Sequence, residues 1–127
     1  MDSFVQDILA DVGLADRADV LAGSLTLAGQ KRLEIARALA QRPRLLLLDE
    51  VMAGLTPPEI ADAMAMIRRL KEKHQLTVLV IEHVMSALME LCQRIVVLHH
   101  GMKIAEGPPK DIAQDPHVLD AYLGVEA

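Results

Sequence analysis

Aromatic side chains are nearly missing: Phe4 and Tyr122 make up 2% of the 127 residues. The stacking platforms that single-strand nucleic-acid binders rely on are therefore absent. An excess of positive charge is missing too. Thirteen Lys and Arg stand against eighteen Asp and Glu, a formal net charge of -5. A phosphate-backbone binder needs clustered cations, so nucleic acid is not an expected partner. The single cysteine, Cys92, excludes an intrachain disulfide and cannot build a structural zinc cluster. No apolar run approaches the roughly 18 residues of a membrane span, and no signal peptide opens the chain. The compartment expected from this is the reducing cytoplasm. What is present in quantity is aliphatic: 52% of residues are hydrophobic and 24% charged. That balance supports a real core of Leu, Ile, Val, Ala and Met.

Periodicity supplies the elements. Phe4, Val5, Ile8, Leu9 and Val12 share a helical face over Ser3 to Val12, and Gly13 is placed to end it. A polar connection leads to Leu25-Thr26-Leu27-Ala28-Gly29. Gln30 to Gln41 then reads as a helix with Leu33, Ala36, Leu39 and Ala40 inward. Leu45 to Leu48 is too short for a helix and ends abruptly at Asp49-Glu50, which predicts a strand buried on both faces. Thr56-Pro57-Pro58-Glu59 is a helix start: a capping threonine, a proline at the first position and a glutamate closing a capping box. Ile60, Ala63, Met64, Ile67 and Leu70 mark its buried stripe to about Lys73.

Thr77 to Ile81 predicts a second buried strand, closing on Glu82-His83. A short helix carries Met85, Leu88, Met89 and Cys92. Arg94 to Leu98 and Met102 to Glu106 are further strands around a His99-His100-Gly101 turn. After Gly107-Pro108-Pro109 come two short helices. The last has Asp115 as cap, Pro116 first, Leu119, Tyr122 and Leu123 inward, and Gly124 as stop. Strand, helix, strand, helix, strand implies a parallel sheet, and such sheets bind ligands at the carboxyl ends of their strands. Asp49-Glu50 and Glu82-His83 both lie at such ends. Met64, Met66, Met85 and Met89 read as core filler. Arg42 and Arg44 read as residues that keep the Pro43 turn exposed.

Four segments in one order carry a resemblance: Leu-Thr-Leu-Ala-Gly-Gln-Lys-Arg-Leu-Glu-Ile-Ala-Arg-Ala-Leu (25–39), Leu-Leu-Leu-Leu-Asp-Glu (45–50), Ala-Gly-Leu-Thr (53–56) and Val-Ile-Glu-His (80–83). Together they resemble the C-terminal half of an ABC-transporter nucleotide-binding domain, along essentially the whole chain. Arg-Leu-Glu-Ile-Ala-Arg, His-His-Gly and Asp-Ala-Tyr-Leu-Gly look like the branched-chain amino-acid uptake subfamily. The fold this implies is α/β: a partial P-loop NTPase-type parallel sheet flanked by helices, with a short antiparallel hairpin and C-terminal helices. Residues 1–30 would be the end of the helical subdomain with the signature motif, and 31–127 the C-terminal part of the ATPase core.

The resemblance implies roles residue by residue. Asp49 matches the Walker B aspartate that orders Mg²⁺, Glu50 the catalytic glutamate that activates or orients water, and His83 the switch histidine that contacts the terminal phosphate. Gly54, Leu55 and Thr56 fall in the D-loop, which crosses the dimer interface. Thr26, Ala28, Gly29 and Gln30 match the signature motif, whose helix start faces the γ-phosphate of ATP bound by a second subunit. The implied cofactors are ATP and Mg²⁺. Implied partners are an N-terminal half or full-length ABC ATPase subunit and transmembrane permease subunits. The implied location is cytoplasmic, peripheral on the inner face of the cell membrane.

The sequence departs from the family in several places. Two registers fit the signature. The one that keeps the downstream helix in phase puts Thr26 on the usual serine and replaces the usual Gly and Gln by Ala28 and Gly29; a shift by one matches Gly29-Gln30 but loses the hydroxyl. Val51 stands where proline is usual and Thr56 where aspartate is usual. None of the seven glycines begins a Gly-x-x-x-x-Gly-Lys-[Ser/Thr] phosphate loop. In the family's sheet that loop's strand lies between the strand ending at His83 and the strand 94–98, so its removal leaves a slot of ~9.6 Å with unpaired edges. The isolated chain is accordingly expected to be inactive, and to close the gap, exchange elements with a copy of itself as a homo-oligomer, or wait for an N-terminal partner. A non-catalytic interaction module that docks onto a full-length ABC ATPase is the alternative. A phosphoacceptor domain using Asp49 is disfavoured by the order of motifs.

Overall fold

The computed structural model describes residues 2–123. They form two compact units, which divide between Glu82 and His83.

In the first unit, α1 (Ser3–Asp11) is capped by the Asp2 carboxylate, which accepts from the Phe4 N–H. It ends where Gly13 takes φ +77°, and the chain passes through short 3-10 turns at Ala15–Arg17 and Ala22–Ser24. Helix α2 (Leu27–Leu39) begins three residues earlier than its hydrophobic spacing predicts. Thr26 is its N-cap, with the hydroxyl accepting from the Gly29 N–H at 3.1 Å. A side chain at Gly29 would bring Cβ to 3.2 Å from Leu25 Cβ, so a residue left just outside the expected helix is buried inside its first turn. The inward residues are Ile35, Ala36 and Leu39. Leu33 is half-buried and Ala40 exposed.

Strand β1 (Leu45–Asp49) pairs in parallel with β2 (Thr77–Ile81), from Leu45 opposite Thr77 to Asp49 opposite Ile81. Between them, α3 (Pro57–His74) starts on the expected capping box and buries Met64, Met66, Ile67 and Leu70. Ile60 and Ala63 are half-buried. The strands depart from expectation on one face. Leu46 and Leu48 are buried, but Leu45, Leu47, Leu79 and Ile81 are 53–64% exposed. Two-sided apolar strands belong to sheets covered on both faces, and nothing among the described residues of this unit covers the second. Among the described residues β2 has β1 as its only strand partner.

Long-range polar contacts tie the helices. Arg32 Nη1 donates to the Val12 carbonyl at 2.9 Å and lies 3.8 Å from Met66 Sδ. The Gly13 turn closes over this guanidinium so tightly that a Cβ there would fall 2.7 Å from Nη1. Asp11 accepts from Lys73 Nζ at 2.5 Å and lies 2.9 Å from His74 Nε2. Arg42 is more than an exposed turn residue: at φ +53° its guanidinium stacks on Phe4, 4.4 Å from the ring centroid.

The second unit holds α4 (Met85–Leu91), strands β3 (Ile95–His99) and β4 (Met102–Gly107), α5 (Pro109–Gln114) and α6 (Pro116–Val118), the last continuing as a π-helical turn over Leu119–Leu123. β3 and β4 form an antiparallel hairpin with an irregularity at Val97–Leu98. Its turn uses left-handed His100 and Gly101. Arg94 and Lys103 both pair with Glu106. Asp115 caps α6 as expected, accepting from the His117 and Val118 N–H groups. Among the side chains described there Val118 is fully buried, while Leu119 and Tyr122 are 36% and 38% exposed. Tyr122 is turned outward because its hydroxyl donates to the Leu98 carbonyl and its ring meets His99 edge-on. Met64 and Met66 are core residues, whereas Met85 and Met89 are only half-buried. The stop expected at Gly124 lies outside the described residues. No helix among them is long and apolar enough to cross a membrane.

Candidate functional site

The site residues of the first unit gather at the carboxyl end of the β1–β2 pair. Asp49 is the last residue of β1 and is exposed. Glu50 extends the ladder by one step, its N–H donating to the Ile81 carbonyl at 2.8 Å. It does so at φ +51°, a left-handed conformation that costs a non-glycine residue about 1 to 2 kcal/mol. The chain then folds on itself. Ala53 N–H donates to the Glu50 carbonyl at 3.2 Å and Leu55 N–H to the Met52 carbonyl at 3.2 Å, while Val51 and Met52 are 8% and 2% exposed. Two buried side chains thus anchor a turn whose neighbours Asp49 and Glu50 face solvent.

Gly54 continues the turn at φ +78°, and a Cβ there would meet Leu27 Cδ2 at 2.8 Å. The 53–56 segment therefore packs on the first residue of α2, joining two segments that are separate in sequence. Ala28 and Leu55 line one groove of about 220 Å³ between α2 and α3, with Lys31, Glu59 and Asp62 also on its walls. Thr56 fastens the end of this segment to α3. Its hydroxyl accepts from the Glu59 N–H at 3.3 Å and its own N–H donates to Glu59 Oε1 at 2.9 Å. These bonds to Thr56 hold the Glu59 carboxyl below its usual range.

At the start of α2 the Thr26 hydroxyl oxygen is engaged by Gly29. The next donors toward the helix end are the Leu27 and Ala28 N–H groups, which have no intrahelical acceptor. Gln30 is exposed and turns back, Nε2 donating to the Leu25 carbonyl at 3.4 Å. His83 is exposed and opens the second unit, two residues before α4. One contact escaped sequence reasoning: Glu82 Oε2 accepts from the Met52 N–H at 3.4 Å, across 30 positions of sequence. Its only sequence signal was a carboxylate at the end of a strand.

Comparison with known proteins decides the family. A model described as ABC transporter matches residues 1–53, and one described as branched-chain amino acid ATP-binding cassette transporter matches 102–127. The chain belongs to the ABC-transporter ATP-binding family. It is 46% identical over 116 residues to a high-affinity branched-chain amino acid transport ATP-binding protein of Pseudomonas aeruginosa, covering 91% of this chain and 46% of that one. Identity to the Escherichia coli protein of the same description is 40%, with the same coverage. A solved ATP-binding cassette of an ABC transporter, in its ADP conformation, superposes with a TM-score of 0.85 at 32% identity, over 94% of this chain and 48% of that one. The chain thus spans about half the length of the relatives it matches, and its α/β architecture is that of the ABC cassettes.

Proposed function

We propose that this chain is the C-terminal half of an ABC-transporter ATP-binding subunit, in which ATP binding and hydrolysis drive import of branched-chain amino acids, and that alone it is inactive. In this reading residues 1–30 are the end of the helical subdomain with its signature motif, and 31–127 belong to the ATPase core. The observation that carries the reading is the gathering of Asp49, Glu50, the 53–56 turn and the start of α2 at one end of a parallel strand pair, in a sequence without a phosphate loop.

The residues present suit the chemistry in part. Mg²⁺ takes one or two carboxylates together with phosphate oxygens, and exposed Asp49 offers such a carboxylate. No group of three His, Cys, Asp or Glu among the described residues is arranged to hold a metal by itself, so further ligands would come from nucleotide and solvent. Glu50 at a strand end is placed to accept a proton from water or to orient it, and His83 would contact the terminal phosphate. The Leu27 and Ala28 N–H groups, with the dipole of the 13-residue α2, would face a phosphate held by a second subunit. Thr26 would add its hydroxyl, with Gly29 and Gln30 completing the signature segment and Gly54, Leu55 and Thr56 the D-loop. The β- and γ-phosphates have no cradle here, which is the physical reason for inactivity.

The exposed Leu45, Leu47, Leu79 and Ile81 and the single-partnered β2 support the rest of the proposal. A partner that supplied a strand and an apolar layer would complete the sheet, and an N-terminal half of an ABC ATPase has that chemistry. With permease subunits the assembly would sit on the cytoplasmic face of the membrane without entering it. The same face favours a second reading, a non-catalytic module that docks onto a full-length ABC ATPase.

Calorimetric titration of the purified chain with MgATP tests the first reading. No detectable binding is expected, and micromolar binding would overturn it. Adding the chain to a homologous transporter separates the second: an ATPase rate that changes supports docking, and an unchanged rate rejects it.

A further inference from the structure

The left-handed backbone of Glu50 has to be held by something. Two restraints are independent of side chains, the bond from the Glu50 N–H to the Ile81 carbonyl at 2.8 Å and the bond from the Ala53 N–H to the Glu50 carbonyl at 3.2 Å. A further one comes from a side chain: Glu82 reaches from the residue after β2 to the loop after β1, where Oε2 accepts from the Met52 N–H at 3.4 Å. Met52 is 2% exposed and cannot swing out to find water, and a buried N–H without an acceptor is costly. The side-chain restraint thus acts two residues beyond Glu50, on a turn whose backbone bonds hold the Glu50 nitrogen and carbonyl.

We propose that Glu82 is a positioning residue: its carboxylate ties the 50–53 turn to the end of β2 and so fixes the backbone from which Glu50 projects at the strand end. This rests on the proposed role of Glu50 toward water. The chemistry needs an acceptor in the place of Oε2, and charge is secondary. Glutamine, which keeps a carbonyl oxygen at the same reach, should serve. Alanine removes the acceptor, and aspartate, one methylene shorter, draws it back.

The test is amide hydrogen exchange followed by NMR on the full 127-residue chain as wild type, Glu82→Gln, Glu82→Asp and Glu82→Ala. Exchange at Met52 is expected to rise about tenfold in Glu82→Ala, the effect of losing one hydrogen bond to a charged group, and to stay near wild type in Glu82→Gln. The HN–Hα coupling of Glu50, which reads its φ, should shift in Glu82→Ala and be restored by Glu82→Gln. Amides within α3 serve as the control and should not change. An unchanged Met52 rate in Glu82→Ala overturns the proposal, as does a Glu82→Gln protein that behaves like Glu82→Ala. Should Glu82→Ala fail to fold, Glu82→Asp against Glu82→Gln gives the same contrast. The MgATP titration bears on the proposed function and leaves the Met52 rates untouched, so the two can fail separately.

Discussion

Replacing Gly54 by alanine should separate two contributions that the structure superimposes. The first is backbone strain, since φ is +78° and an L side chain in the left-handed region costs about 1 to 2 kcal/mol. The second is a steric contact with Leu27 Cδ2, 2.8 Å from the new Cβ. Leu27 is 49% exposed and can rotate aside, so that contact costs about 0.5 kcal/mol, the scale of an off-rotamer side chain. Gly54→Ala should therefore lose about 2 kcal/mol in all. Urea denaturation of Gly54→Ala, Leu27→Ala and the double variant, at one protein concentration, measures each share. The double-mutant cycle should return a coupling of about 0.5 kcal/mol, with the strain left in the double variant. A neutral Gly54→Ala refutes the left-handed turn. A full loss with zero coupling refutes the packing of the 53–56 turn on α2.

Thr56→Ala removes the N-cap of α3 and should cost about 1 kcal/mol in thermal or urea unfolding, with Thr56→Ser retaining most of it; equal losses in both would contradict the capping box. Asp11 should show itself in acid. Its side chain is 10% exposed, and burial, which alone would raise its pKa, is outweighed by hydrogen bonds and charge from Lys73 and His74, so the pKa falls below 3.8. A lowered carboxyl contributes stability above its unfolded pKa and loses it as pH drops through the folded one. Stability should decline below about pH 4 and Asp11→Asn should flatten that decline; identical acid profiles would dismiss the pairing. Lys73 is raised above 10.5, mainly by its hydrogen bond to Asp11, so its contribution is present below that pH and fades above it. Finally, Leu47→Lys with Ile81→Lys should reduce self-association seen by light scattering. A wild-type chain that is a clean monomer with strongly protected Val78–Ile81 amides would show that the sheet has found cover by itself.

Local chemistry made the start of α3 readable, because Thr56, Pro57 and Glu59 each state a helix start and the structure uses all three. The same approach misplaced the start of α2. Hydrophobic spacing begins the helix at Gln30, yet the missing Cβ of Gly29 lets Leu25 and Thr26 close over a first turn that starts at Leu27. The four leucines of 45–48 describe what a strand can bury on each face, while actual cover depends on which elements are present. Hence Leu46 and Leu48 met expectation and Leu45 and Leu47 did not. That Asp49 closes a strand was foreseeable from the four leucines before it. The contact of Gly54 with Leu27 and the reach of Glu82 to Met52 were not, since they join residues 27 and 30 positions apart with no periodicity to announce them.

Helix α1 is fastened at both ends without depending on the loop that follows it. Phe4 lies under Arg42 near its beginning. At its far end Val12 is held by Arg32, and Asp11 by Lys73 and His74. The segment 19–24 that connects it to α2 is exposed throughout, with Leu21 at 80%. A broad-specificity protease should therefore cut first in that connection, and the severed N-terminal peptide should stay bound through gel filtration. The covalent link between α1 and α2 should then be dispensable to their union, so that the connection can be lengthened, labelled or opened without releasing the helix.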